Sequence, residues 1–171
     1  MRGWGRVGRG MKRKIIEVGD EGDGLLREKS VEVDEFGDEL HELLDDLWEL
    51  LGNQLGLTGP QVGYGKRVFV LNGKLFRGGK DLEVINPEIV LKGGMVMGVE
   101  VCLSLPDREW LVKRRSKLVM EWSDRFGRRR RMKAKGLLSR VIQHERDHLF
   151  GVMVDEVGRE LVKDEEEGDG E

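Results

Sequence analysis

The chain has 171 residues, of which 37% are charged and 38% apolar, and its net charge is −3 at pH 7. That length suits one domain with a hydrophobic core of its own, and the near-balanced charge gives no global field to draw it to DNA or a membrane surface. A single cysteine, Cys102, excludes an internal disulfide framework, and no apolar run is long enough for a membrane span or a secretory signal, so the sequence predicts a cytoplasmic location.

Residues 1–10 are basic and glycine-rich without periodicity, which predicts a disordered arm or a misassigned start ahead of Met11. The fold is expected over residues 11–163, followed by a disordered acidic tail at 164–171. Residues 19–24 form a Gly/Asp-rich loop. Phe36, Leu40, Leu43, Leu44, Leu47, Leu50 and Leu51 then recur at helical spacing, with Asp34 as the expected N-cap and His41 on the polar side. Residues 52–65 are rich in turn formers. Strand-like pieces follow at 67–71, 82–85, 88–91, 96–103, 110–122 and 128–135, with Asp124-Arg125-Phe126-Gly127 as a hairpin turn. A last helix is expected over 136–149, ending at Gly151. The predicted class is α+β: antiparallel strands around a late helix, with one long early helix.

The late helix carries Gln143-His144-Glu145-Arg146-Asp147-His148. Two histidines at i and i+4 share one face, so both imidazoles can reach one metal ion, and Glu145 beside them is placed to take a proton from a water that the metal activates. The apolar stripe of Leu137, Leu138, Val141 and Ile142 runs directly into Glu145 and His148. Ionisable groups on a core-facing stripe are costly to bury unless they bind something. A catalytic metal site usually has a third protein ligand. Downstream, the candidates are Asp155, Glu156 and Glu160; upstream, Cys102 in Glu100-Val101-Cys102-Leu103-Ser104 sits in a strand-like segment that ends in Leu105-Pro106.

At these residues the chain resembles the peptide deformylase family. Gln54-Leu55-Gly56-Leu57-Thr58-Gly59-Pro60-Gln61 is similar to the family's G-φ-G-φ-A-A-x-Q pattern. Glu100 to Ser104 is similar to E-G-C-L-S, and Gln143 to His148 matches Q-H-E-x-D-H. The resemblance implies hydrolysis of the N-formyl group from the initiator methionine of nascent chains, with N-formylmethionyl peptides as substrates. It implies one divalent metal on Cys102, His144 and His148: Fe(II) in the family, with zinc, nickel or cobalt also accepted. Thiolate and imidazole donors by themselves suit zinc. It further implies Glu145 as the acid–base group and the Gln61 side chain with the Leu103 backbone N–H as oxyanion donors. Gly56 would approach the peptide backbone, and Leu55, Leu137 and Val141 would line a methionine pocket, although ordinary core packing explains those three equally well.

This sequence departs from the pattern at Gln54, Thr58, Gly59, Val101 and Arg146, while Glu100 and Arg114 are both present for the family's supporting ion pair. Two alternatives stand beside this reading. One is a divergent metallopeptidase with an acidic third ligand. The other is a ribosome- or RNA-associated module using the basic stretch 128–135.

Overall fold

The computed structural model describes residues 13–76 and 78–162; the expected arm at 1–10 and tail at 164–171 lie outside the described residues. The early helix, α1, spans Asp38–Leu51 and buries Leu40, Leu43, Leu44, Leu47 and Leu51. Its N-cap is Gly37, extended at φ −109 and ψ −162, with Asp38 and Glu39 in the first turn complementing the helix dipole. Asp34 is therefore too early to cap. It is exposed and pairs with Lys66 instead. His41 is half-buried rather than a free surface residue. Its Nε2 lies 3.0 Å from the Arg125 carbonyl oxygen, and its ring meets Phe126 edge-on.

Among the described residues, eight strands form two antiparallel sheets. The first has the order β1 (Gly56–Thr58), β2 (Val68–Leu71), β3 (Leu82–Gly93), β6 (Lys117–Ser123), β7 (Arg129–Lys135). The second has the order β4 (Val96–Cys102), β5 (Leu105–Arg114), β8 (Gly158–Leu161). Strand β2 is buried throughout, which explains its unbroken apolar sequence. The predicted pieces 82–85 and 88–91 are one strand with a register shift, where Asn86 takes a positive φ of 51° and clamps the Val33 backbone through its side-chain amide.

The predicted strand at 110–122 is instead two strands in different sheets. The chain leaves β5 at Arg115-Ser116, where Ser116 Oγ donates to the Gly93 carbonyl and the Gly136 N–H donates to the Ser116 carbonyl. The hairpin turn at 124–127 forms as expected, with Gly127 at φ 75°. Helix α2 runs Gly136–Leu149 and is followed by Gly151 at φ 71°, as its sequence predicts. It buries Val141, Ile142 and Leu149 against Phe69, Leu71, Met120 and Trp122. Beyond it, the polar-looking end still folds: α3 (Val154–Val157) leads into β8, which zips onto β5.

The site is set by this arrangement. Strand β1 is an edge of the first sheet and β4 an edge of the second, and α2 lies between them.

Candidate active site

Helix α2 brings His144 and His148 together one turn apart, with ring centroids 5.0 Å apart. Cys102 closes β4, and the two-residue turn Leu103-Ser104 connects it to its partner Leu105. The thiol sits 3.4 Å from His148 Nε2, and the two histidine Nε2 atoms are 3.3 Å apart. A tetrahedral ion with bonds of about 2.1–2.3 Å to nitrogen and sulfur has ligand edges of roughly 3.4–3.7 Å, so these donors fit one divalent cation. The residues proposed downstream do not join them. Asp155 and Glu156 pair with Arg27, and Glu160 pairs with Arg108.

Behind His144 lies a buried charge network. Glu100 accepts from both sides of the Arg114 guanidinium at 2.8 and 2.9 Å, so the expected ion pair forms. It also accepts from His144 Nδ1 at 2.9 Å, which leaves Nε2 facing the thiol. Burial would raise the Glu100 pKa, but the hydrogen bonds from Arg114 and His144 hold it down at about 2. Burial likewise lowers the basicity of His144, yet Cys102 and Glu100 push its pKa up to about 10. His148 moves the other way, well below the usual imidazole range, through burial and the nearby His144 charge.

Sequence reasoning passed over Arg140, which completes this network. It is buried, donates to Glu100 at 2.8 Å, and also reaches the carbonyls of Val112 and Val96 at 3.0 and 3.1 Å. Gly98 makes room for it, since a Cβ there would lie 2.7 Å from Arg140 Nη2. One signal was available: Arg140 stands a turn before His144 on the buried stripe, where a cation requires partners.

Glu145 is 4% exposed, and its Oε2 has no hydrogen-bond partner. Burial raises its pKa to about 7, against the opposing pull of His144. Such a carboxylate suits proton transfer near neutrality. Gly56 faces it directly, for a Cβ on Gly56 would fall 2.7 Å from Glu145 Cδ. The missing side chain therefore gives the carboxylate its space, whatever the glycine also offers a peptide.

Gln61 is buried in the short 3-10 turn Pro60–Val62. Its amide oxygen accepts from the Thr58 N–H at 3.1 Å and from Thr58 Oγ1 at 3.0 Å, while Nε2 reaches Ser104 Oγ at 3.2 Å. Thr58, a departure from the family pattern, thus adds a donor that fixes the amide's orientation. Gln61, Leu103, Cys102, His144 and Glu145 line one cavity of about 450 Å³. Leu55, Gly56, Leu137 and Val141 form part of its apolar wall, with Leu137 half-open at the rim and Val141 buried. Val101, at 61% exposure, stands at the mouth.

The basic stretch 128–135 is largely neutralised. Arg129 and Arg131 pair with Glu121, Arg130 pairs with Asp124, and Arg128 lies over the Phe126 ring.

The sequence profile of the family described as polypeptide deformylase matches residues 12–162. The peptide deformylase of Dictyoglomus thermophilum is 37% identical over 155 residues, covering 89% of this chain and 99% of that protein. That of Caldicellulosiruptor bescii is 41% identical over 157 residues, covering 90% of each. Among solved structures, the Legionella pneumophila peptide deformylase superposes with a TM-score of 0.78 at 31% identity, covering 86% of both chains. The Synechococcus elongatus enzyme in complex with actinonin gives a TM-score of 0.77 at 33% identity, covering 85% of this chain and 80% of that one.

Proposed function

Because the chain belongs to the polypeptide deformylase family, we infer that it hydrolyses the N-formyl group from the N-terminal methionine of nascent polypeptides, releasing formate. The observation that carries the assignment of roles is the meeting of three donor atoms at ligand spacing, two of them, Cys102 and His144, lining the same cavity as the unpartnered carboxylate oxygen of Glu145.

Cys102, His144 and His148 would hold one divalent cation, which supplies Lewis acidity and lowers the pKa of the attacking water. Glu145 takes the proton of that water as its oxygen bonds to the formyl carbon. Negative charge then develops on the formyl oxygen, where the Gln61 amide and the Leu103 backbone N–H are the donors. Glu145 passes its proton to the amide nitrogen as the C–N bond breaks, giving formate and a free amine. Glu145 thus gains and loses a proton in one turnover. Leu55, Leu137 and Val141 would receive the methionine side chain, and Val101 at the mouth would narrow the approach.

Within this reading the metal is Fe(II), although the donor set accommodates zinc, nickel or cobalt. The enzyme works in the cytoplasm; among the described residues no helix is long and apolar enough to cross a membrane. Ribosome contact through residues 128–135 would fall to Lys133 and Lys135, since the arginines there are engaged. The test is anaerobic purification, metal analysis, and formate release from a formyl-Met peptide beside an acetyl-Met control. Metal-dependent release from the formyl peptide alone supports the assignment; equal rates on both, or none with metal bound, overturn it.

A further inference from the structure

The face of α2 turned away from the metal donors carries a second cavity of about 190 Å³. Gln143, Arg146, Asp147 and Phe150 follow one another at helical spacing on this face. Its walls bring Lys92 from β3, Lys113 and Arg114 from β5, Arg115 and Arg146 around a single carboxylate, that of Asp147. Asp147 is already taken up by Arg114. Among the described residues, Lys92, Lys113, Arg115 and Arg146 form no ion pair at all, in contrast to the arginines of β7, whose charges are met by Glu121 and Asp124.

One of these cations is held in place, and the backbone carrying a second is fixed. The Arg146 guanidinium lies 4.3 Å from the Phe150 ring centroid, and its Nε is buried with no hydrogen-bond partner. The Arg115 backbone is clamped on both sides. Its N–H donates to Gln143 Oε1 at 3.0 Å, and its carbonyl accepts from Gln143 Nε2 at 2.9 Å and Ser139 Oγ at 2.8 Å. Four unmatched positive charges around one hollow repel one another, and an anion among them removes that repulsion. Two guanidinium forks and two ammonium groups offer more donors than a carboxylate can accept, whereas a phosphate presents several charged oxygens.

We propose that this cavity binds a phosphate group, with Arg146 and Arg115 gripping its oxygens and Lys92 and Lys113 neutralising its charge. A polynucleotide strand and a free polyphosphate both present such a group, and they share the chemistry this cavity would recognise.

The full-length, metal-loaded protein is titrated into a fluorescein-labelled single-stranded RNA by anisotropy at increasing salt, with tripolyphosphate titrated calorimetrically in parallel. RNA binding that weakens with salt and is competed by tripolyphosphate assigns a strand; calorimetric binding without RNA binding assigns the small ion. In either case Lys113→Gln with Arg146→Gln should weaken the bound probe by about tenfold or more. Lys92→Gln with Arg115→Gln, which leaves α2 untouched, should do the same, while Arg129→Gln with Arg131→Gln should leave affinity within about twofold. Formyl-Met peptide turnover close to that of the unaltered protein certifies the fold of each variant and reads the catalytic assignment separately. The proposal is overturned if neither probe binds at low salt, if the cavity variants bind like the unaltered protein, or if the β7 variant loses as much affinity.

Discussion

Gly56→Ala tests the positioning of Glu145, with any effect on peptide approach read separately in KM. Gly56 has no positive φ, so alanine is compatible with its backbone, and the three atoms nearest the new methyl all belong to the Glu145 side chain. An ideal Cβ would sit 2.7 Å from Glu145 Cδ and 2.9 Å from Cγ. Ordinary carbon contacts are about 3.5–4.0 Å, so the carboxylate must retreat by roughly 1 Å. Glu145 is 4% exposed, so the displaced carboxylate has only the cavity it lines to move into. A misplacement of roughly 1 Å costs on the order of a hundredfold in rate, or about 2.7 kcal/mol of barrier. The assay is kcat on a formyl-Met peptide, with bound metal measured in the same sample. Metal content should stay at the wild-type level while kcat falls by about two decades. In a Glu145→Gln background the same substitution should have almost no further effect, because both changes remove one function. A metal-replete Gly56→Ala protein turning over within threefold of wild type would refute the argument.

Thr58→Val keeps the backbone donor to Gln61 but deletes the hydroxyl one, and should lower kcat by about three- to tenfold with metal content unchanged; an unaltered kcat removes Thr58 from the support of Gln61. Arg140→Met leaves Glu100 with fewer donors and should weaken metal affinity by about 10–100-fold in a chelator competition, with Arg140→Lys recovering part of it; equal affinities for all three proteins exclude the effect. Glu83 accepts from Trp48 Nε1 and Arg125, joining α1 to the hairpin turn; burial would raise its pKa, but these donors lower it below the usual value. A lowered folded-state pKa gives stability that is present above the unfolded pKa and disappears as pH falls through the folded one. Glu83→Gln should therefore lower Tm more at pH 7 than at pH 3, and an equal loss at both values would contradict the ion-pair account.

What the sequence disclosed followed from local rules. The 143–148 motif needed only helical spacing, and α2 forms over the residues its apolar stripe predicts. The ends of elements and the sheet partition were less accessible, because they depend on contacts distant in sequence. Nothing near residue 115 announces a change of sheet. The break arises where Ser116 and Gly136 bond each other and Gly93, residues brought together only by the fold. Arg128 to Arg131 read as a free basic patch because Glu121 and Asp124 stand opposite them only once β6 and β7 pair. The same logic explains the opposite error at Arg140, a lone arginine in an apolar stripe. Its partners come from β4 and β5, with Val112 separated from it by 28 residues, Glu100 by 40 and Val96 by 44. Charges in this chain are thus hard to read from sequence in both directions: Arg129, Arg130 and Arg131 look free and are paired, while Arg140 looks incidental and holds Glu100 behind His144. A charged residue on a core-facing helical stripe must find its counterion in the tertiary structure, so its presence predicts a buried network even when the partners cannot be named. Arg140 meets that expectation on the wall of the catalytic cavity, where a network holding His144 was required.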